Sequence, residues 1–106
     1  MITYEDFRKM ELKIATIKDV QPHPNADKLY VLTIDAGGIT KQLVAGIRLH
    51  YSQDSLKGKQ IVVVDNLEPA VIRGIESQGM LLAACDEAGI SVLSPDRLVQ
   101  EGSLVK

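Results

Sequence analysis

The chain has no tryptophan, one phenylalanine and three tyrosines, so aromatic residues make up only 4% of it. A protein that holds single-stranded nucleic acid by stacking bases on side-chain rings needs more rings than this, the more so if Phe7 is taken into a core. There is one cysteine, Cys85, so no internal disulfide can form, which fits a reducing cytoplasm. The two histidines, His23 in "HPN" and His50 in "RLHY", have no ligand spacing around them and read as loop or surface residues, so no metal is expected. No apolar run approaches the roughly 20 residues of a membrane helix, and the opening "MITYEDFRKM" is too charged for a signal peptide. There is no excess of positive charge either: 12 basic residues against 14 acidic ones give a formal charge of −2 and a pI near 5.6. That argues against an indiscriminate polyanion binder, DNA included, while leaving room for a local basic face.

What is present is a soluble-type composition, 45% hydrophobic and 25% charged, over 106 residues, which suffices for one domain. Thr3 followed by Glu5 and Asp6 predicts a short capped helix, with Phe7 and Met10 turned inward. "LKIATIKDV" (12–20) predicts a strand whose period of two fails unless one extra residue forms a bulge. "QPHPNADK" is a rigid loop. "LYVLTID" (29–35) and "ITKQLVAG" form a hairpin about Ala36-Gly37-Gly38. Ser52 caps a short helix that ends at Gly58. "KQIVVVDN" predicts a strand buried on both faces, and "MLLAAC" another buried strand that turns at "DEAG" into "ISVLS". The tail, 95–106, carries Leu98, Val99, Leu104 and Val105 and must dock on something. Short strands and a bulge fit a β-sandwich or a small barrel, and the helical insert after the third strand favours the barrel, an all-β, five-stranded OB-fold over about residues 1–94.

Catalytic signals are absent. Cys85 closes an apolar run beside two acids, the opposite of the electropositive setting of a reactive thiolate. Ser77 has no identifiable base, and no glycine-rich phosphate loop is present. Neither an enzyme nor a cofactor is expected. Lys28, Lys41, Arg48 and Arg73 lie at strand ends or loops, where they either converge on one face or are scattered solubilising charges. The segment "ESQGM" is also open to two readings. Gly79 either merely bends a strand entry or lets a ligand approach, with Ser77, Gln78 and Met80 offering contacts beside it.

The segments "HPNADKLYVL", "GGITKQLVAGI", "IRGIESQGMLLAA" and "LSPD" resemble the tRNA-binding domain family, over essentially the whole chain. That family includes the C-terminal domain of bacterial methionyl-tRNA synthetases and a free-standing dimeric tRNA-binding protein. The resemblance implies an OB-fold that binds the outer corner of the tRNA L by shape, without catalysis, either alone or with an aminoacyl-tRNA synthetase. It implies RNA contacts by Asn25, Lys28, Arg73, Ser77 and Met80, completed by Gln78 and Gly79. It also implies a homodimer interface on Leu98, Val99, Leu104 and Val105. The CsaA-like secretion chaperones share that fold and dimer and bind unfolded peptides, but typically lack "HPNADKL" and "SQGM". Both segments are present here, which favours tRNA.

Overall fold

The computed structural model describes all residues, Met1–Lys106. Helix α1 (Tyr4–Arg8) starts as expected at Thr3, whose Oγ1 accepts from the Asp6 N–H while the Asp6 carboxylate accepts from the Thr3 N–H. The helix buries nothing completely. Phe7 packs against a small apolar cluster, but Met10, expected inside, is exposed, because the chain leaves the helix before a second turn can face inward.

Strand β1 (Leu12–Pro22) is the spine of the molecule. Its first half pairs with β4 (Gln60–Val64) and its second half with β2 (Tyr30–Asp35), both antiparallel. The anticipated bulge falls at Lys18, between the Ile17–Ile34 and Asp19–Thr33 partners. It restores the inward face to Val20 and bends β1 so that one strand serves two walls. Strand β3 (Thr40–Ala45) forms the hairpin with β2, and α2 (Gln53–Leu56), capped by Ser52, inserts before β4. Every residue of β4 is buried: Ile61 and Val63 point into the barrel, and Val62 and Val64 into the cluster outside it. Two apolar faces explain a continuous β-branched run. The sheet order β3-β2-β1-β4-β7, with β7 (Met80–Leu81) last, makes a nearly closed five-stranded, OB-like barrel. Two hairpins form separate two-stranded sheets packed against it, β5 (Ala70–Ile72) with β6 (Ile75–Ser77), and β8 (Ala83–Asp86) with β9 (Gly89–Val92).

Two expectations fail here. "MLLAAC" is not one buried strand: pairing with β4 stops at Leu81, and β8 turns away with β9. Cys85 is therefore exposed rather than a buried thiol. The apolar tail, expected to dock, has a docking surface within its own chain. Val99 and Val105 pack on Leu12, Ile14, Val62 and Val64, and β10 (Leu104–Val105) pairs with β1. The buried Gln60 amide holds the tail, donating to Val99 O (2.7 Å) and accepting from Val99 N–H (3.0 Å). Leu98 and Leu104 remain exposed.

Asp65, at the end of β4, is bonded by Lys13 from β1 (2.9 Å) and Lys41 from β3 (2.7 Å). Lys41, a candidate for a basic face, is thereby committed to the framework. Burial works to raise the Asp65 pKa, but hydrogen bonds from Lys41 and Lys13 outweigh it and hold the carboxyl below its ordinary value. The bond to Asp65, then its charge, raise Lys13 above its own. The carboxylate's contribution is thus present above its unfolded pKa and is lost as pH falls through the lowered folded value. That of Lys13 is present below its unfolded pKa and is lost as pH rises through the raised folded value. Asp65→Asn should cost about 2 kcal/mol in urea unfolding at pH 7. The gap from wild type should narrow as pH falls below the ordinary carboxylate range; a gap that does not depend on pH would contradict this.

Candidate nucleic-acid interface

The β5–β6 hairpin turns through Arg73-Gly74, between the paired Ile72 and Ile75. Both turn residues have positive φ, +52° at Arg73 and +91° at Gly74. This is the geometry of a type I′ turn, in which Asn or Gly is the natural first residue. Arg73 is the only residue other than glycine with positive φ. A long β-carbon-bearing side chain held in a left-handed conformation points to a use for that side chain.

Facing the turn is the loop 23–29. The Ala26 carbonyl accepts from Leu29 N–H, and the Leu29 carbonyl from His23 N–H, so the loop closes on itself. Arg48 braces it from beneath, donating Nη1–H to Ala26 O at 3.2 Å. Loop and turn are joined twice: Arg73 donates Nη2–H to Asn25 O (2.9 Å), and Asn25 donates Nδ2–H to Arg73 O (3.4 Å). Between them lies an open cleft of about 460 Å³, lined by Asn25, Ala26, Asp27, Lys28, Leu29 and Arg73. Lys28 and Arg73 are exposed in it. The cleft thus offers two cations, an amide and one acid, a set suited to phosphate and ribose oxygens. No group of three His, Cys, Asp or Glu side chains is placed to hold a metal ion.

The segment Ser77-Gln78-Gly79-Met80 has a different geometry. Ser77 is 3% exposed; its Oγ accepts from Val44 N–H (3.0 Å) and donates to Gly79 O (2.9 Å). Gln78 donates its N–H to Gln42 O (2.8 Å) and accepts from Gln42 N–H through Oε1 (2.9 Å). Gln42 in turn donates its side-chain amide to Glu76 O at 2.8 Å. These bonds satisfy the free edge of β3 with side chains where a regular strand would use peptides. Gly79 has φ +138°, and a Cβ there would lie 2.8 Å from Val64 O, so its close approach is to the protein's own β4. Met80 is 48% exposed.

The structure therefore brings Asn25, Lys28 and Arg73 together in one cleft. Ser77, Gln78 and Gly79 are set into the wall that closes the barrel. Sequence reasoning missed His23, read as a loop or surface histidine. It is 3% exposed and wedged between loop and turn, with one ring nitrogen at Ile72 O and the other at Asn25 N–H. Its place between two prolines at a strand end was the available signal. Arg48 counted as a basic position, but its role under the loop was not visible.

The family described as "Putative tRNA binding domain" matches residues 12–104. The methionine–tRNA ligase of Thermococcus onnurineus is 50% identical over 105 residues, which is 99% of this chain and 14% of that protein. Among solved structures, a MetRS-related protein from Pyrococcus horikoshii superposes with a TM-score of 0.93 at 30% identity, covering 100% of this chain and 98% of that one. The CsaA chaperone protein of Picrophilus torridus gives a TM-score of 0.93 at 34% identity, with full coverage of both chains.

Ser77→Ala should cost about 2 kcal/mol in chemical denaturation, because it strands the buried Val44 N–H. Gly79→Ala should cost at least as much, through its φ and the contact with Val64. Wild-type stability in both variants would contradict a wall role for the segment.

Proposed function

The chain belongs to the tRNA-binding domain family, and from that premise we propose that it binds cytoplasmic tRNA by shape, at the outer corner of the L. In this reading Asn25, Lys28 and Arg73 contact the RNA directly, with Met80 as an apolar contact. Ser77, Gln78 and Gly79 act by fixing the strand from which Met80 and the Arg73 hairpin project. The observation that carries the proposal is Arg73, kept at φ +52° and bonded to Asn25 across a cleft whose other exposed cation is Lys28. With few rings to stack bases, shape and backbone recognition suits this chain. The domain contributes binding rather than catalysis, as part of a methionine–tRNA ligase or alongside an aminoacyl-tRNA synthetase.

A second copy completes the proposal. Beside β10 lie two grooves, one holding Tyr4, Phe7, Met10 and Leu12, the other Ile14, Val62, Pro95 and Val99; Leu104 and Val105 line both. Together with the exposed Leu98 they offer an apolar face to a partner. A homodimer would present two clefts to RNA and multiply a modest affinity.

Unmodified tRNA should bind more tightly than a linear RNA of equal length, and equal affinity would count against shape recognition. Retention of an unfolded polypeptide without tRNA affinity would favour the peptide-binding reading, which the equally close backbone of the CsaA chaperone protein supports.

Lys28→Ala should weaken tRNA binding and lower the salt dependence by roughly one phosphate. Arg73→Gly should relieve backbone strain, leaving stability within about 1 kcal/mol of wild type or above it, while weakening tRNA binding. Lost stability with unchanged binding would make Arg73 a structural residue only. Leu104→Asp should shift sedimentation at micromolar concentration from dimer to monomer; a wild-type monomer would remove the dimer.

A further inference from the structure

We propose that His23 is the positioning residue of the cleft, fixing the loop that carries Asn25 and Lys28 against the turn that carries Arg73; this rests on the reading of the cleft as the RNA site. The imidazole is buried, with Nδ1 3.0 Å from the Asn25 nitrogen and Nε2 3.0 Å from Ile72 O. A peptide N–H can only donate and a carbonyl can only accept. Nδ1 must therefore hold the lone pair and Nε2 the proton, which specifies the neutral Nε2–H tautomer. The ring thus bridges two segments 49 residues apart in sequence. Each end lands beside a proposed contact: Ile72 directly precedes Arg73, and the bonded N–H is that of Asn25 itself.

The surrounding chemistry gives the ring a specific task. Pro22 and Pro24 flank His23, so His23 and Asn25 are the first residues of the loop able to donate a peptide N–H. The His23 N–H goes to Leu29 O, and the Asn25 N–H goes to the imidazole. The two bonds between Asn25 and Arg73 are exposed, so water can replace them. The two made by the ring are part-buried and hold the register when the outer pair opens. His23 acts through Asn25 and Arg73 and touches no RNA.

The test uses the full chain and tRNA. His23→Ala should weaken tRNA binding on the order of tenfold, from the loss of two part-buried hydrogen bonds. His23→Asn keeps a short acceptor two residues before the Asn25 nitrogen and should recover part of that loss. In an Arg73→Ala background His23→Ala should cost less than it does alone, since part of its effect runs through Arg73. Wild-type affinity in a folded His23→Ala variant, or a cost that adds in full to that of Arg73→Ala, would overturn the proposal. Nitrogen NMR of the wild-type imidazole should show the Nε2–H tautomer, and the Nδ1–H form would overturn the bridge even where the alanine variant does not fold. If Arg73→Ala alone leaves tRNA binding unchanged, the cleft reading fails. The bridge is then judged by exchange of the Asn25 amide, expected to be slow in wild type and faster in His23→Ala, with equal rates overturning it.

Discussion

The free edge of β3 is the constraint on which the rest of the structure depends. A barrel of five short strands must close, and its last wall, β7, pairs with β4 over only two residue pairs. Left alone, the Gln42 and Val44 peptide groups would face the interior of an open seam, where an unpaired group costs as much as a lost hydrogen bond. Ser77 and Gln78 close the seam by side chain as well as main chain. Gly79 then lets the chain pass against Val64 O and enter β7. The interruption in the strand pattern is thus a substitution of side-chain amide and hydroxyl for ladder.

The same device recurs. The Gln60 amide clamps Val99 and so seats the tail, and the Asn66 amide accepts from Glu11 N–H and donates to Lys9 O, joining the helix exit to the end of β4. Asp65, between Lys13 and Lys41, ties three strands at one end of the barrel. With the frame held this way, the β5–β6 hairpin can project from it on a single tight turn. That turn carries Arg73 in a conformation glycine would hold at lower cost. Rigid scaffold and strained rim belong together, because the bonds to Asn25 and the buried wall at Ser77 maintain what Arg73 alone would not.

Much of the fold was legible in the sequence because its signals are local. The broken period in residues 12–20 announced the Lys18 bulge, Ser52 and Thr3 announced their helices, and the two-faced burial of β4 follows from "IVVV". The failures involve long-range partners. Nothing local separates Leu81, which pairs with β4, from Ala83, which leaves with β9, so Cys85 was placed inside. Lys41 and Ser77 resemble surface polar residues until Asp65 and Val44 are brought beside them by strand pairing. His23 has no local mark beyond its prolines, since the carbonyl that buries it lies in β5. Asn25, Lys28 and Arg73 were named through family resemblance and do share one cleft, whereas the setting of Ser77, Gln78 and Gly79 in the barrel wall needed coordinates.

In the proposed function one surface meets RNA while another holds the barrel closed. Backbone amide shifts followed by NMR through a titration with tRNA test this most directly. Perturbations should concentrate at Asn25 to Leu29, Arg73, Gly74 and Met80, while the amides of Gln42, Val44 and Gln78 keep their protection from exchange. Perturbations centred instead on Phe7, Val99 and Leu104, with the cleft silent, would contradict it.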